Sequence, residues 1–237
     1  MPKIAVKRFI QEARNQCAVG AVTCLSHYYD NSIDFKFVYD TAKSLFKKEL
    51  DNGLYSHQMG ILLNKIGFKN VSIVTGDPEF IDYSWAGYSK SKLIDTLRDQ
   101  GKIRGEKQFY NSLVEFLSDK DSDNKIIIDW NFAERIRESI DIGVPVIGSF
   151  NWTMFFKQAR QDDSGDYDAI NGEYSEHAVV INGYDKKSAS IVDSHIADYK
   201  YKLKGFRSGL YNIEWEHLMT VMGRGDVLIP HKYCIGK

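Results

Sequence analysis

The sequence has few cysteines and no long apolar run. Its 237 residues include three cysteines, Cys17, Cys24 and Cys234. A small, odd number in a chain of this length does not indicate a disulfide framework. Their spacing lacks the close pairs of thiolate zinc sites, so we expect no site of that kind. No apolar run approaches the ~20 residues that a spanning helix needs, and we therefore expect no membrane span.

The chain also lacks an excess of either charge. Lysine and arginine total 31, aspartate and glutamate total 32, and the formal net charge is −1. Such a balance gives no electrostatic reason to expect nucleic acid or an anionic membrane as a partner. The expected partner is a protein or peptide substrate, and the oligomeric state is left open.

The N-terminal residues 1–8 lack the hydrophobic core of a secretory signal peptide. We expect a cytoplasmic protein, or one exported without a signal peptide, for example as an effector delivered into another cell. Little chain precedes Gln11, which argues against inhibition by a long N-terminal prosegment. A single functional cysteine in a reducing compartment fits these features best.

The order of the periodic segments predicts an α+β protein with an antiparallel sheet, because helices come first and strands later. We expect one domain over residues 1–237, helical over about 11–142 and strand-rich over about 143–237. Helices are predicted over residues 17–29, 37–50, 56–66, 91–100, 107–117, 132–142 and 215–221. Strands are predicted over residues 70–74, 125–130, 143–150, 177–183, 189–193, 198–203 and 225–229.

Cys17 stands at the start of a stretch that is apolar or small as far as Tyr29, which predicts a central, buried helix. Gly20 costs this helix about 1 kcal/mol in propensity relative to alanine, unless another element approaches closely there. Cys24 lies seven residues after Cys17 on the same helical face and is expected in the core. Taken alone, such a cysteine is more often a core residue than a catalytic one, since free cysteines are commonly buried.

The position of Cys17 at the start of a helix is also suitable for a catalytic nucleophile. The positive end of a helix stabilises a thiolate, which is the nucleophilic form of cysteine. Attack on a carbonyl creates an oxyanion, which needs hydrogen-bond donors placed in advance. The backbone N–H of Cys17 and the side-chain amide of Gln11, six residues upstream, are the expected donors. Gln16 is a weaker candidate than Gln11.

A second constellation lies late in the chain. His177 heads one predicted strand and Asp193 closes the next, with turn residues from Asp185 to Ser188 between them. In a hairpin centred on that turn, His177 falls within a couple of residues of the position opposite Asp193. The carboxylate would then orient the imidazole and support its protonated form, which in turn would stabilise a thiolate.

The glutamine six residues before Cys17, the buried helix, the strand that begins at His177 and the acid at Asp193 together resemble the papain-like cysteine peptidases. The pattern is most similar to stand-alone relatives of the bacteriocin-processing peptidases that cut double-glycine leaders. The resemblance implies a papain-like fold whose central helix carries the cysteine and packs on a C-terminal antiparallel sheet. It implies Cys17 as nucleophile, His177 as base, Asp193 as orienter and Gln11 in the oxyanion hole. Three further stretches fit the resemblance, namely residues 136–147, the helix start at 53–56 and residues 211–218.

Three departures from that family pattern stand out. Ala18 follows the cysteine where the family usually has glycine, and Ser194 follows the acid where it usually has proline. Residues 76–124 have no counterpart and are a possible lid or substrate-binding insertion. The chain contains no transporter segments, so leader processing coupled to export is not implied.

The predicted function is that of a cysteine peptidase, which cleaves a peptide or isopeptide bond through an acyl-enzyme and needs no cofactor or metal. A transglutaminase or acyltransferase would use the same residues and differ only in the acceptor. Two other functions stay open. One is a catalytically silent binding module. The other is a metal-dependent hydrolase, in which His195 would bind the metal together with Glu176 or His177. The acidic segment 162–168 lacks a glycine at the sixth position after alternating acids, which a helix-loop-helix calcium site requires. It is expected to be a solvated loop that gates the site or favours basic substrates.

Overall fold

A computed structural model describes residues 2–13, 15–47, 50–162, 166–195 and 208–234, apart from the side chain of Lys232. The helices within these ranges are α1 (Cys17–Tyr29), α2 (Phe35–Leu45), α3 (Ser56–Ile66), α4 (Lys90–Arg104), α5 (Lys107–Ser118), α6 (Phe132–Asp141), α7 (Trp152–Phe156) and α8 (Trp215–Val221). The strands are β1 (Phe68–Thr75), β2 (Lys125–Ile128), β3 (Val146–Asn151), β4 (Glu176–Tyr184), β5 (Ser188–Val192), β6 (Leu210–Glu214) and β7 (Asp226–Tyr233).

Seven strands of the described ranges form one sheet in the order β2-β1-β7-β3-β4-β5-β6. β1 and β2 are parallel, whereas every other neighbouring pair in this sheet is antiparallel. The predicted α+β class is confirmed. The sheet is larger than predicted, because β1 and β2 from the helical half join the C-terminal strands through β7. β6 and α7 were not predicted, and the strand expected over 198–203 lies outside the described residues.

Serine is a common N-cap residue, but Ser56 does not cap α3. Ser56 is the first residue of the helix rather than its N-cap, and its hydroxyl hydrogen-bonds the carboxyl group of Asp226. The N-terminus is closed instead by Gln58, whose Oε1 accepts the backbone N–H of Tyr55 at 2.9 Å. This arrangement joins the start of α3 to the start of β7.

Two hydrophobic cores lie on the two faces of the sheet. Side chains of a strand alternate between its faces, and β4 shows this clearly. Ala178 and Val180 belong to the core that includes residues of helices α1 to α5. Val179 and Ile181 belong to the core that includes residues of helices α6 to α8. The strands in the middle of the sheet are therefore covered on both sides.

Helix α1, which begins with Cys17, is largely buried. Residues 18–26 are all buried, which agrees with the predicted central helix, and α1 packs against β4 and β3. The close approach expected at Gly20 is made by Ser194, because a Cβ atom at Gly20 would lie less than 3.0 Å from the Ser194 side chain. Ala18, the departure after the cysteine, is accommodated in the same core.

Residues 76–124 contain the helical hairpin of α4 and α5, which packs against α3. A Cβ atom at Gly60 on α3 would lie less than 3.0 Å from the ring of Phe116 on α5, so the two helices are in close contact there. Leu97 and Phe116 are fully buried in the core that also contains residues of α1. The hairpin thus extends the main core, and its role in binding substrate stays a prediction.

Candidate active site

Cys17 is the first residue of α1 and is half-buried. Gln16 occupies the N-cap position, and no side chain of the described residues caps this helix end. Acidic residues are also absent from the first turn of this described helix. The positive end of the helix therefore acts on the Cys17 sulfur without a competing carboxylate on its own turn.

Cys17 and His177 meet through a hydrogen bond between the thiol and the imidazole. Burial raises the pKa of Cys17, but the hydrogen bond and positive charge of His177, aided by the backbone N–H of Ala178, lower it more. The net result is a Cys17 pKa below the ordinary thiol value. Burial lowers the pKa of His177, whereas the charge and hydrogen bond of Asp193 raise it well above its usual range. These directions favour a thiolate and an imidazolium side by side.

His177 and Asp193 lie on the hairpin that the sequence predicts. Val180 of β4 is opposite Val192 of β5, which puts the extended position across from Asp193 two residues from His177. His177 Nε2 is 2.9 Å from Asp193 Oδ1, and both side chains are almost fully buried. The structure therefore brings Cys17, His177 and Asp193 together.

The Asp193 carboxylate has two further donors. The backbone N–H of His195 donates to Oδ1 at 2.8 Å, and the hydroxyl of Tyr211 on β6 donates to Oδ2 at 2.7 Å. Burial raises the pKa of Asp193, but the charge of His177 and these hydrogen bonds lower it below its usual range. A buried carboxylate with three donors stays ionised and keeps its orientation.

Aromatic rings of the β3–α7 region enclose the imidazole of His177. The ring of Trp152 meets it edge to face, with centroids 4.9 Å apart, and the rings of Phe150 and Phe156 lie at 5.8 and 5.6 Å. Trp152 is 5% exposed and also contacts the ring of His195. These rings limit the movement of the imidazole and keep water away from its buried side.

Gln11 lies beside α1 and is 2% exposed. Its backbone N–H donates to the carbonyl oxygen of Ser194 at 2.8 Å, and its Nε2 donates to the carbonyl oxygen of Ala13 at 2.9 Å. The hydroxyl of Ser194 donates to Gln11 Oε1 at 3.3 Å. A Cβ atom at Gly20, one turn after Cys17, would be 3.8 Å from Gln11 Cβ. Gln11 therefore packs against the first turns of the helix that carries Cys17.

Gln16, the weaker candidate for the oxyanion hole, forms hydrogen bonds with the loop that precedes α1. Its Oε1 accepts the backbone N–H groups of Glu12 and Ala13 at 3.0 and 2.9 Å. These bonds close the loop between Gln11 and α1. The side-chain oxygen of Gln16 thus supports the loop that holds Gln11.

Arg8 was not predicted to belong to the site. Its Nε donates to the carbonyl oxygen of Asp193 at 2.6 Å and its Nη2 donates to that of His195 at 2.7 Å. Gly209, with φ of 64°, lies so close that any Cβ there would overlap the guanidinium of Arg8. Arg8 therefore fixes the backbone of the Asp193–His195 segment through two carbonyl groups. Arg8 has no local signal in the sequence, because it is about 185 positions from the groups that it contacts. Tyr211 lies in the stretch 211–218 that fits the resemblance, but its strand and its contact with Asp193 were not predicted.

The structure also places the second cysteine of α1 and His195, the residue of the alternative metal-site hypothesis. Cys24 is fully buried in the core, as predicted, and burial raises its pKa to about 12. His195 contacts the ring of His177, with centroids 5.6 Å apart. Across the described ranges, no group of three or more His, Cys, Asp or Glu side chains is arranged to hold a metal ion.

Acidic groups gather at the strand ends next to His177. Although Glu176 is exposed as a whole residue, desolvation of its carboxyl group and the charge of Asp226 raise its pKa to about 7. Burial and the charge of Asp77 raise the pKa of Asp226 to about 6, against hydrogen bonds that lower it. Residues 163–165 of the acidic segment lie outside the described residues, and the gating role of 162–168 stays a prediction.

The fold and the site together define a class: α+β proteins in which a cysteine at a helix N-terminus meets a histidine and a carboxylate from a two-stranded hairpin. A family model, the Peptidase_C39 like family, matches residues 3–221. The chain belongs to this family, which confirms the resemblance predicted from its sequence.

The chain is also similar to a solved structure. A protein described as a C39-like peptidase from Bacillus anthracis is 15% identical, with a TM-score of 0.48. The match covers 99% of this chain and 100% of that one. A search of curated proteins finds no significant match. In the part of the chain that the structure describes, no helix is both long and apolar enough to cross a membrane.

Proposed function

We propose that the protein is a cysteine peptidase that cleaves a peptide or isopeptide bond through an acyl-enzyme on Cys17. His177 is the base and acid, Asp193 orients it, and Gln11 is a donor to the oxyanion. The observation that carries the proposal is the chain of contacts from the Cys17 thiol through His177 to Asp193 Oδ1, the last at 2.9 Å. Membership of the Peptidase_C39 like family supports it.

The first half of the reaction forms the acyl-enzyme. The Cys17 thiolate attacks the scissile carbonyl carbon, a C–S bond forms, and the carbonyl electron pair moves to oxygen. The backbone N–H of Cys17 and an N–H of Gln11 Nε2 stabilise that charge. When the tetrahedral species collapses, the C–N bond breaks and His177 gives its proton to the departing amine.

The second half releases the acyl group. Neutral His177 takes a proton from a water molecule, whose oxygen attacks the thioester carbonyl. The C–S bond then breaks, the carboxylic acid leaves, and the proton on His177 restores the thiolate–imidazolium pair. Asp193 supports the imidazolium each time it forms, and its three donors keep it ionised while it does so.

The test combines labelling with cleavage of a peptide library. Wild-type protein should be alkylated at Cys17 by iodoacetamide, and it should cleave members of the library. Cys17→Ala should abolish cleavage, whereas Cys234→Ala, which removes another partly exposed thiol, should not. Cleavage that survives in Cys17→Ala, or a Cys17 that resists alkylation in the folded protein, contradicts the proposal. Adding a labelled amine during turnover separates hydrolysis from acyl transfer, because only an acyltransferase incorporates the label into the product.

A further inference from the structure

The Asp193–His195 segment touches both halves of the candidate site. Asp193 contacts the imidazole of His177, while Ser194 contacts the side chain of Gln11 through its hydroxyl at 3.3 Å. We propose that Ser194 is a positioning residue that holds the Gln11 amide in place, in the orientation that the Ala13 carbonyl selects, with a nitrogen presented to the oxyanion. This inference rests on the function proposed above and adds a residue to its machinery.

The orientation matters because a glutamine amide has two unlike ends. The nitrogen carries two N–H donors, whereas the oxygen only accepts. An amide rotated by 180° would present lone pairs to the developing oxyanion and would repel it. A site that depends on Gln11 therefore needs neighbours that distinguish the two ends.

Ala13 makes that distinction, and Ser194 adds a second hydrogen bond in the orientation that Ala13 selects. The carbonyl oxygen of Ala13 can only accept a hydrogen bond, and it receives one from Gln11 Nε2 at 2.9 Å. The hydroxyl of Ser194 can donate or accept and does not itself select an orientation, but in the one that Ala13 selects it donates to Oε1 and restrains the amide. Rotation of the amide would set two oxygens against each other at Ala13. With one N–H used by Ala13, the second N–H of Nε2 remains for the substrate.

Burial makes the contact effective. Ser194 is 1% exposed and Gln11 is 2% exposed, so water does not replace the bond at low cost. The backbone N–H of Gln11 donates to the carbonyl oxygen of Ser194 at 2.8 Å, which sets the two residues side by side. Gly20 provides the space for the Ser194 side chain, since a Cβ there would overlap it. Arg8 holds the carbonyl groups on either side of Ser194.

The experiment compares two probes of Cys17. p-Nitrophenyl acetate acylates the thiolate: a C–S bond forms, an oxyanion develops, and the C–O bond to p-nitrophenolate breaks. Iodoacetamide alkylates the same thiolate with loss of iodide and forms no oxyanion. Both rates are measured for wild type, Ser194→Ala, Gln11→Ala and the double variant, and the signal of Cys17→Ala is subtracted. Ser190→Ala removes another buried serine hydroxyl, on β5, and is the matched control.

Ser194→Ala is expected to slow acylation about fivefold, as befits the loss of one neutral hydrogen bond, while the rate of alkylation stays the same. In the Gln11→Ala background, the same substitution should have no further effect. Ser190→Ala should match wild type in both rates. Thermal unfolding checks that each variant is folded, and Ser194→Gly removes the same hydroxyl if the alanine variant is not.

Three results overturn the inference while leaving the proposed function intact. The first is an acylation rate unchanged by loss of the Ser194 hydroxyl. The second is a slowing of acylation by Ser194→Ala that persists in the Gln11→Ala background. The third is an equal fall of the acylation and alkylation rates. An equal fall of both rates would mean that the substitution alters the reactivity of the Cys17–His177 pair rather than the stabilisation of the oxyanion. A wild-type protein without Cys17-dependent acylation contradicts the proposed function itself, and the inference falls with it.

Discussion

Gly20 and Ser194 lie so close that no side chain larger than hydrogen fits at position 20. A Cβ atom there would be less than 3.0 Å from both Cβ and Oγ of Ser194. Gly20 is on the helix that begins with Cys17, and Ser194 follows Asp193. This contact therefore sets the distance between the element that carries the thiol and the segment that carries the carboxylate.

Gly20→Ala should destabilise the protein by about 1–3 kcal/mol through overpacking. Alanine has the better helix propensity by about 1 kcal/mol, so a purely local effect would have the opposite sign. Urea denaturation gives the free energy of unfolding. Gly223→Ala is the control, because a Cβ at Gly223 meets its nearest atom at 3.8 Å. A more stable Gly20→Ala variant would contradict the close contact.

His177→Ala should change how the alkylation of Cys17 depends on pH. In wild type the Cys17 pKa is lowered by His177 against the opposing effect of burial. Without the imidazole, the effect of burial and of the Asp193 charge is opposed only by the backbone N–H of Ala178, so the pKa of Cys17 rises. The rate of iodoacetamide labelling at pH 6, relative to pH 8, should therefore fall about tenfold or more, because the thiolate fraction drops about tenfold per pH unit below the pKa.

The measurement is mass spectrometry of the peptide that contains Cys17, so that Cys24 and Cys234 do not contribute. His217→Gln is the control, since His217 contacts the backbone of Met154 on the rim of α7 rather than Cys17. If His177→Ala keeps the wild-type pH profile, the thiol and the imidazole are not coupled.

Tyr211→Phe should remove the hydrogen bond to Asp193 Oδ2 and leave a buried carboxylate with one donor fewer. The expected cost is about 1–2 kcal/mol of unfolding free energy, as for bonds to charged groups. Tyr184→Phe removes a similar 2.7 Å bond to the exposed carboxylate of Asp141 and should cost less than half as much. Equal losses of unfolding free energy in the two variants would mean that the bond from Tyr211 to the buried Asp193 contributes no more stability than a bond to an exposed carboxylate.

Asp226→Asn should stabilise the protein increasingly as pH rises above about 4, with the full gain reached above about pH 6. The pKa of Asp226 is raised in the folded protein to about 6, from 3.8 for a free group, by burial and by the charge of Asp77. Its protonated form therefore contributes stability that is fully present below about pH 4 and lost as pH rises through about 6. The asparagine variant cannot ionise and does not lose this contribution.

The melting temperature of Asp226→Asn minus that of wild type should accordingly increase between pH 5 and pH 8. A gain on the order of 3 kcal/mol at pH 8 corresponds to the raised pKa, at about 1.4 kcal/mol per pKa unit. Glu176 titrates nearby and is left in place in both proteins, so its effect largely cancels. Glu115→Gln, on the exposed side of α5, is the control and should show no such trend. A difference that is constant with pH would show that Asp226 ionises freely.

Arg8→Lys should loosen the Asp193–His195 segment while keeping the positive charge. The guanidinium contacts two carbonyl groups at once, through Nε and Nη2, and a single ammonium cannot reproduce this fork. The expected result is a loss of about 1 kcal/mol of stability together with slower acylation by p-nitrophenyl acetate. Lys7→Arg on the neighbouring residue is the matched control. Unchanged stability and acylation in Arg8→Lys would show that the two hydrogen bonds of the guanidinium are not needed to hold the segment.

The parts of the site that could be predicted are those with a local signal. The apolar run after Cys17 predicted α1, and the turn from Asp185 to Ser188 predicted the hairpin that brings His177 toward Asp193. In both cases the interacting positions are near in sequence, so periodicity and turn chemistry carry the information. The same signals missed β6, a short strand with one fully covered position, Ile213, and α7, a helix of five residues.

By itself, the sequence determined the class of the fold, the helix that begins at Cys17 and the family to which the chain belongs. Only the tertiary structure decided that β1 and β2 extend the sheet, that Arg8 holds the Asp193–His195 segment, and that Ser194 meets both Gly20 and Gln11. Ser194 and Gln11 are 183 positions apart, and their contact is a bond of 3.3 Å. A contact between residues so distant in sequence depends on the register of strands and the packing of helices throughout the chain, which no local pattern encodes.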